Sequence, residues 1–121
     1  MIEVLKTDFE HKDDRGQLVQ LVHKGYEQVN VLISNTNTLR GGHYHKEVQE
    51  AFYVISGSVV LRTQKDGEEK EFRFASGDFF MISPYTVHSM EFPEHCVMVQ
   101  LYDRCVERED GTKDIYTVEV S

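Results

Sequence analysis

His43 and His45 stand one residue apart in the stretch GGHYHKEVQEAFYVISG, and Glu50 follows five positions after the second histidine. On a β-strand, residues i and i+2 project from one face, so this spacing aims two imidazoles at a common point. Imidazole and carboxylate around one point suit a divalent metal, zinc first, with iron, manganese, nickel and cobalt also compatible. His88 lies far enough along the chain to arrive from a different strand. The expectation is one divalent ion per chain, held by His43, His45, Glu50 and His88. A single histidine on a strand is more often a hydrogen-bonded core or surface group than a ligand, so the weight rests on the four together. Glu50 is the sharpest member. It opens the apolar run Ala51-Phe52-Tyr53-Val54-Ile55, where alternation places it on the face of Phe52 and Val54, and a buried carboxylate needs a partner. Glu47 and Gln49 are the alternative oxygen donors if the register slips, while His11, His23 and His95 are expected to face solvent.

The elements that must position these groups read as β-strands. Apolar runs are short, rich in Val, Ile, Phe and Tyr, and bounded by Gly, Asn, Asp or Ser. Strands are expected near 17–23, 28–34, 40–46, 50–56, 58–65, 69–75, 78–83, 87–91, 96–103 and 114–120. No segment sustains a helical apolar stripe for three turns. Asp66-Gly67 between two such runs predicts a tight hairpin of type I′, which needs positive φ at both central residues. About ten short strands in this length imply an all-β sandwich or small barrel, and a jelly roll answers both descriptions.

At 121 residues the chain is expected to form one domain, 1–121. Its first residues lack the apolar run of a signal peptide, and no stretch approaches the length of a membrane span, so a soluble, cytoplasmic protein without a membrane partner is expected. Cys96 and Cys105 have no CxxC spacing and are read as free thiols. The formal net charge is −8, from 21 acidic and 13 basic residues, which opposes the phosphate contacts of nucleic-acid binding. A small anionic ligand remains compatible, since a few arginines reverse the potential of a pocket. The runs Val29-Asn30-Val31-Leu32-Ile33 and Cys96-Val97-Met98-Val99-Gln100-Leu101 are apolar on both faces, and a second copy of the chain is the simplest cover. A homodimer is therefore expected.

The same residues resemble the cupin superfamily over most of 40–102. From His43 through His45 and Glu50 to Gly57 the chain follows the first cupin motif, whose leading glycine position is here Asn37, with Gly41 and Gly42 nearer the strand. The second motif is similar to the segment from Gly77 to His88, with Ser83 in place of its proline, Tyr85 in place of its glycine and Phe92 in place of its asparagine. The resemblance implies a cupin-type double-stranded β-helix, a jelly-roll barrel, around the proposed ion.

A finer resemblance, through Asp14-Arg15-Gly16-Gln17-Leu18-Val19 and Arg40-Gly41-Gly42-His43-Tyr44-His45, is to cupins of bacterial surface-sugar biosynthesis. The nearest in pattern are the C-terminal cupin domains of capsular-polysaccharide UDP-sugar reductases and, more loosely, dTDP-hexose ketoisomerases. It implies isomerisation or epimerisation of a keto-sugar nucleotide, by removal and return of an α-proton beside a polarised carbonyl. Tyr85, next to the His88 turn, is the candidate catalytic group, and Arg40, Gln100 and Tyr102 are candidate substrate-binding groups. Tyr44 is expected to point away from its histidine neighbours. Lys46 and Arg62 are further candidates for a diphosphate, although Arg62 and Arg73 read more simply as the solvated face of a hairpin. A metal-dependent oxygenase and a non-catalytic small-molecule-binding cupin are the alternatives, because a fold alone does not choose among them.

Overall fold

The computed structural model describes residues 2–118. Among them the chain forms twelve strands: β1 Ile2–Val4, β2 Phe9–Asp13, β3 Gly16–Gln20, β4 Gln28–Ser34, β5 Thr38–Tyr44, β6 Glu50–Ser56, β7 Ser58–Lys65, β8 Glu68–Ala75, β9 Phe79–Ile82, β10 Val87–Phe92, β11 Cys96–Tyr102 and β12 Tyr116–Thr117. They form two five-stranded antiparallel sheets, ordered β1-β9-β6-β11-β4 and β12-β5-β10-β7-β8, with β2 and β3 making a separate hairpin. This is the all-β jelly roll that the sequence resemblance implies. No helix among these residues is long and apolar enough to cross a membrane.

Alternation fills the space between the sheets. Phe52 and Val54 of β6, Leu61 of β7, Met90 and Phe92 of β10 and Met98 of β11 all point inward and are buried. Full burial of a side chain such as Phe52 stabilises the fold by about 1.5–3 kcal/mol. Between β6 and β7 the chain reverses at Gly57, whose φ of +83° and closeness to β11 both exclude a side chain. A Cβ there would lie 2.1 Å from the His95 carbonyl oxygen.

Several boundaries differ from the sequence reading. The strand expected at 17–23 ends at Gln20, and its partner Phe9–Asp13 is an addition to the expected set, because Glu10, His11, Lys12 and Asp13 mask any alternation. The strand expected at 114–120 shortens to Tyr116–Thr117, with residues 119 and 120 outside those described. The Asp66-Gly67 hairpin turn has the expected positive φ at both residues, 52° and 79°. Both cysteines are free, Cys96 buried and Cys105 exposed.

The outer face of β6 and β11 is covered in part by the chain itself, where Leu5, Leu21, Val22 and Tyr26 pack on Ala51, Phe79 and Leu101. That cover stops short of β4, whose Val29, Val31 and Ile33 are about 60% exposed.

Candidate metal centre and cavity

β5, β6 and β10 bring the four expected ligands together. β5 pairs with β10 so that His43 lies opposite His88, while Glu50 enters from the facing sheet at the start of β6. One ligand atom from each of His43, His45, Glu50 and His88 lies within 4.8 Å of all the others. Where β5 crosses β10 the register slips between His88 and Ser89, and Gly41 permits it, since a Cβ would stand 2.7 Å from the His88 carbonyl oxygen. The position of the motif's leading glycine, Asn37, has a φ of 60°, a conformation asparagine tolerates better than most residues.

Hydrogen bonds behind the ligands set the chemistry in front. His45 Nδ1 donates to the Asp114 carbonyl oxygen at 2.6 Å, and His88 Nδ1 donates to the Thr86 carbonyl oxygen at 3.0 Å. A carbonyl has no proton to give, so each Nδ1 carries the hydrogen and each Nε2 of a neutral ring is a lone pair. Those two Nε2 atoms lie 3.0 Å and 2.8 Å from the same Glu50 oxygen, Oε1. Three lone pairs thus converge in a buried place, a geometry that requires either protons or a cation among them. The donor set fits a divalent metal ion.

The electrostatics agree in sign. Where protons rather than a cation fill the cluster, burial alone would raise the carboxyl of Glu50, but the hydrogen bonds from His45 and His88 outweigh it and hold its pKa well below the usual carboxylate range. Burial also opposes a charge on His45, yet the Glu50 hydrogen bond and charge leave its pKa raised. His43 behaves differently: burial, then its neighbour His88, push it down to about 4, so its ring is neutral at pH 7. The three histidine rings lie edge-on or tilted to one another, with centroids 4.5–5.8 Å apart.

Asp114, invisible as a site residue in the sequence, anchors the loop that follows His45. Its buried carboxylate accepts the amides of Lys46, Glu47 and Val48 at 2.8–2.9 Å. Those bonds overcome the effect of burial and keep its pKa below the ordinary value.

A cavity of about 370 Å³ opens beside the cluster, lined by Arg40, His43, Glu50, His88 and Gln100 with Leu32, Leu39, Phe52 and Met90 among its apolar walls. That volume lies in the range of small-molecule sites. Arg40 is held by the Ser34 hydroxyl at 2.9 Å and the Ile33 carbonyl at 3.2 Å. Gln100 donates to Glu50 Oε2 at 3.2 Å.

Two candidates fall outside this wall. Tyr85, expected as a catalytic group, is 57% exposed, and its ring stacks on Tyr44 with centroids 6.3 Å apart. Its φ of 64° lies in the left-handed region that glycine adopts most readily, and its side chain faces outward. Tyr102, expected to touch substrate, is buried beneath His45, edge-on at 5.7 Å. Tyr44 points away as expected, stacking on Tyr116, over which Lys46 Nζ lies at 4.3 Å. Arg62 is engaged with Glu71 and Glu91 on the hairpin surface, and Arg15 with Asp13 on the β2–β3 hairpin. Glu47 and Gln49 are exposed, and the Glu50 register holds.

Known proteins share this fold. The family described as "Polysaccharide biosynthesis C-terminal domain" matches residues 11–102. The sugar 3,4-ketoisomerase QdtA from Thermoanaerobacterium thermosaccharolyticum, solved in complex with TDP, matches with a TM-score of 0.77 at 22% identity, over 91% of this chain and 85% of that one. The capsular polysaccharide assembling protein CapF from Staphylococcus aureus matches with a TM-score of 0.70 at 24% identity, over 98% of this chain and 33% of its own. At these identities the likeness establishes the fold. The 3-hydroxyanthranilate 3,4-dioxygenase of Danio rerio is 24% identical over 89 residues, 73% of this chain; this chain spans 31% of that protein's length.

Proposed function

Because the chain belongs to the polysaccharide biosynthesis C-terminal domain family, we propose that it isomerises or epimerises a nucleotide-linked keto-sugar, using a divalent metal, zinc first, at His43, His45, Glu50 and His88. The observation that carries the reading is the convergence of Glu50 Oε1 and two histidine Nε2 lone pairs beside a cavity whose other polar walls are the donors Arg40 and Gln100. Support comes from the solved relatives: one QdtA structure is a histidine-to-asparagine mutant in complex with TDP-4-keto-6-deoxyglucose.

When bound, the ion would supply Lewis-acid polarisation of the sugar carbonyl, which acidifies the neighbouring C–H. The chain's own residues do the rest. Glu50 is occupied on both oxygens and stays an anion, so it serves as a fixed charge. Arg40, immobilised on β4, offers its guanidinium to sugar or phosphate oxygens, and the Gln100 amide donates to oxygen that gains charge as the proton leaves. Phe52, Met90 and Leu32 keep the reacting end of the cavity dry.

The test is to incubate metal-loaded protein in D₂O with a panel of nucleotide-linked keto-sugars and to follow deuterium wash-in at the carbon beside the carbonyl. Exchange is expected with at least one panel member and is lost on chelation. Silence across the panel, with oxygen uptake on adding Fe(II), would replace this reading by an oxygenase. Silence in both assays, with saturable ligand binding, would leave a binding protein.

A second reading is favoured by one observation: among the described residues His43 makes no hydrogen bond or ion pair with Glu50, unlike the other two histidines. His43 would then accept the α-proton while His45, Glu50 and His88 hold the ion. His43→Ala separates the two, since a ligand role removes metal, whereas a base role keeps the metal and removes exchange.

The partner we propose is a second copy, seated on the outer face of β4, β11 and β6. Its outward residues, Val29, Val31, Ile33, Val97, Val99, Tyr53 and Ile55 among them, include no charged side chain. Two copies of a chain of charge −8 meet there with the least repulsion. Light scattering is expected to give twice the chain mass, and Val31→Asp to halve it; a monomeric wild type at high concentration overturns the proposal.

A further inference from the structure

A carboxylate that serves as a metal ligand carries no proton and only accepts hydrogen bonds, and Glu50 stands in that place. Its Oε1 meets the two histidines, and its Oε2 meets Gln100 at 3.2 Å, so Gln100 must turn its amino group toward Glu50. The amide oxygen of Gln100 then faces the other way and needs a donor, which Asn30 Nδ2 supplies at 3.0 Å. The pair is built into the sheet, because Asn30 on β4 lies directly opposite Gln100 on β11. Polarity thus runs in one direction, from the carboxylate outward. Reversing Gln100 would set its oxygen against Glu50 Oε2 and its nitrogen against Asn30 Nδ2, two repulsive contacts in a partly buried place.

We propose that Asn30 is a positioning residue for the metal centre: by donating to the Gln100 carbonyl it locks the amide so that Gln100 caps Glu50 Oε2 and leaves Oε1 as the single ligand oxygen. The second N–H of Gln100 is then available to an oxygen of a ligand in the cavity. The inference rests on the metal reading of the site. It goes beyond that reading in naming a residue outside the cavity wall that decides how the carboxylate is presented.

Asn30→Asp is the test, since it places an acceptor where a donor is required and leaves size almost unchanged. In metal-free protein, the side-chain amide resonance of Gln100 is expected to shift in Asn30→Asp, as its amino group turns from Glu50 to the carboxylate introduced on β4. In metal titrations the same variant is expected to bind zinc about 10–100-fold more weakly, the usual effect of losing a group that orients a ligand. Asn30→Leu, which removes the donor without reversing the amide, is expected to lose only a few-fold, and it carries the test if the aspartate variant does not fold. An unmoved Gln100 resonance, or unchanged zinc affinity in both variants, overturns the proposal. A wild-type protein that takes up no zinc while its Gln100 resonance responds as expected overturns the metal reading instead, and leaves the amide assignment standing.

Discussion

The carbonyl oxygen of Asp114 accepts a hydrogen bond from His45 Nδ1 at 2.6 Å, although 69 residues separate the two. The same residue's carboxylate holds the amides of Lys46, Glu47 and Val48, so one buried aspartate fixes both the ring of His45 and the loop that leads to Glu50. Asp114→Asn replaces one accepting oxygen by a donor among four donors, the three amides and the Arg108 guanidinium. We expect a loss of about 2–4 kcal/mol in denaturant unfolding, from charge-assisted bonds broken in a buried place. A zinc affinity lowered together with that stability would tie the anchor to the site, and a variant as stable as wild type would remove Asp114 from this role.

His88→Ala deletes one of the two Nε2 groups on Glu50 Oε1 and exposes a buried charge to an incomplete partner set. Elemental analysis of the purified variant is expected to show less than a tenth of the wild-type metal, with the β-sheet circular dichroism retained. Full metal occupancy in this variant contradicts the ligand assignment.

The protons of the metal-free cluster give a pH dependence. His45 has a pKa raised above its ordinary 6.5, so its contribution to stability is complete below that value and is lost as pH rises through the folded-state value. Glu50 has a pKa lowered from its ordinary 4.5, so its contribution is present above that value and is lost as pH falls through the folded-state value. Chelated protein should therefore draw most stability from this pair between these two ordinary values, and lose some on the alkaline side. Zinc loading should abolish the alkaline loss and release protons on binding, measured in weakly buffered solution.

Arg40 and Tyr85 should respond differently to truncation. Arg40→Ala is expected to raise KM at least tenfold for a nucleotide-linked sugar, since the immobilised guanidinium lines the cavity. Tyr85→Phe is expected to leave both kcat and KM within about twofold, because the ring lies on the outer surface against Tyr44. A tenfold drop in kcat for Tyr85→Phe would return the tyrosine to the reaction.

Gly57→Ala places a methyl 2.1 Å from the His95 carbonyl oxygen, a backbone contact that cannot yield without parting the end of β6 from the start of β11. Expression as insoluble or unfolded protein is expected, whereas Gly67→Ala, with open space around it, carries only the strain of its positive φ. Solubility and thermal unfolding of the two variants make the comparison.

Much of this was legible because it is local. The two-residue spacing of His43 and His45, the alternation that puts Glu50 on the face of Phe52 and Val54, and the Asp66-Gly67 turn are each properties of a few consecutive residues, and a strand or hairpin expresses them directly. Even Asn37 and Tyr85, where the motif glycines are lost, keep the positive φ of the turns they occupy, at 60° and 64°. The hairpin strand Phe9–Asp13 was not legible, because four polar residues in succession leave no period to read.

What the amino-acid order determined by itself is therefore most of the strands, the all-β class and the identity of the four converging groups. Which residues stand behind those groups was decided by tertiary structure. Asp114 reaches His45 across 69 residues, Asn30 reaches Gln100 across 70, and Tyr85 turns outward although it lies three residues from His88. The physical reason is that a ligand set can be written into the period of one or two strands, whereas a hydrogen bond between strands depends on the register in which distant segments meet.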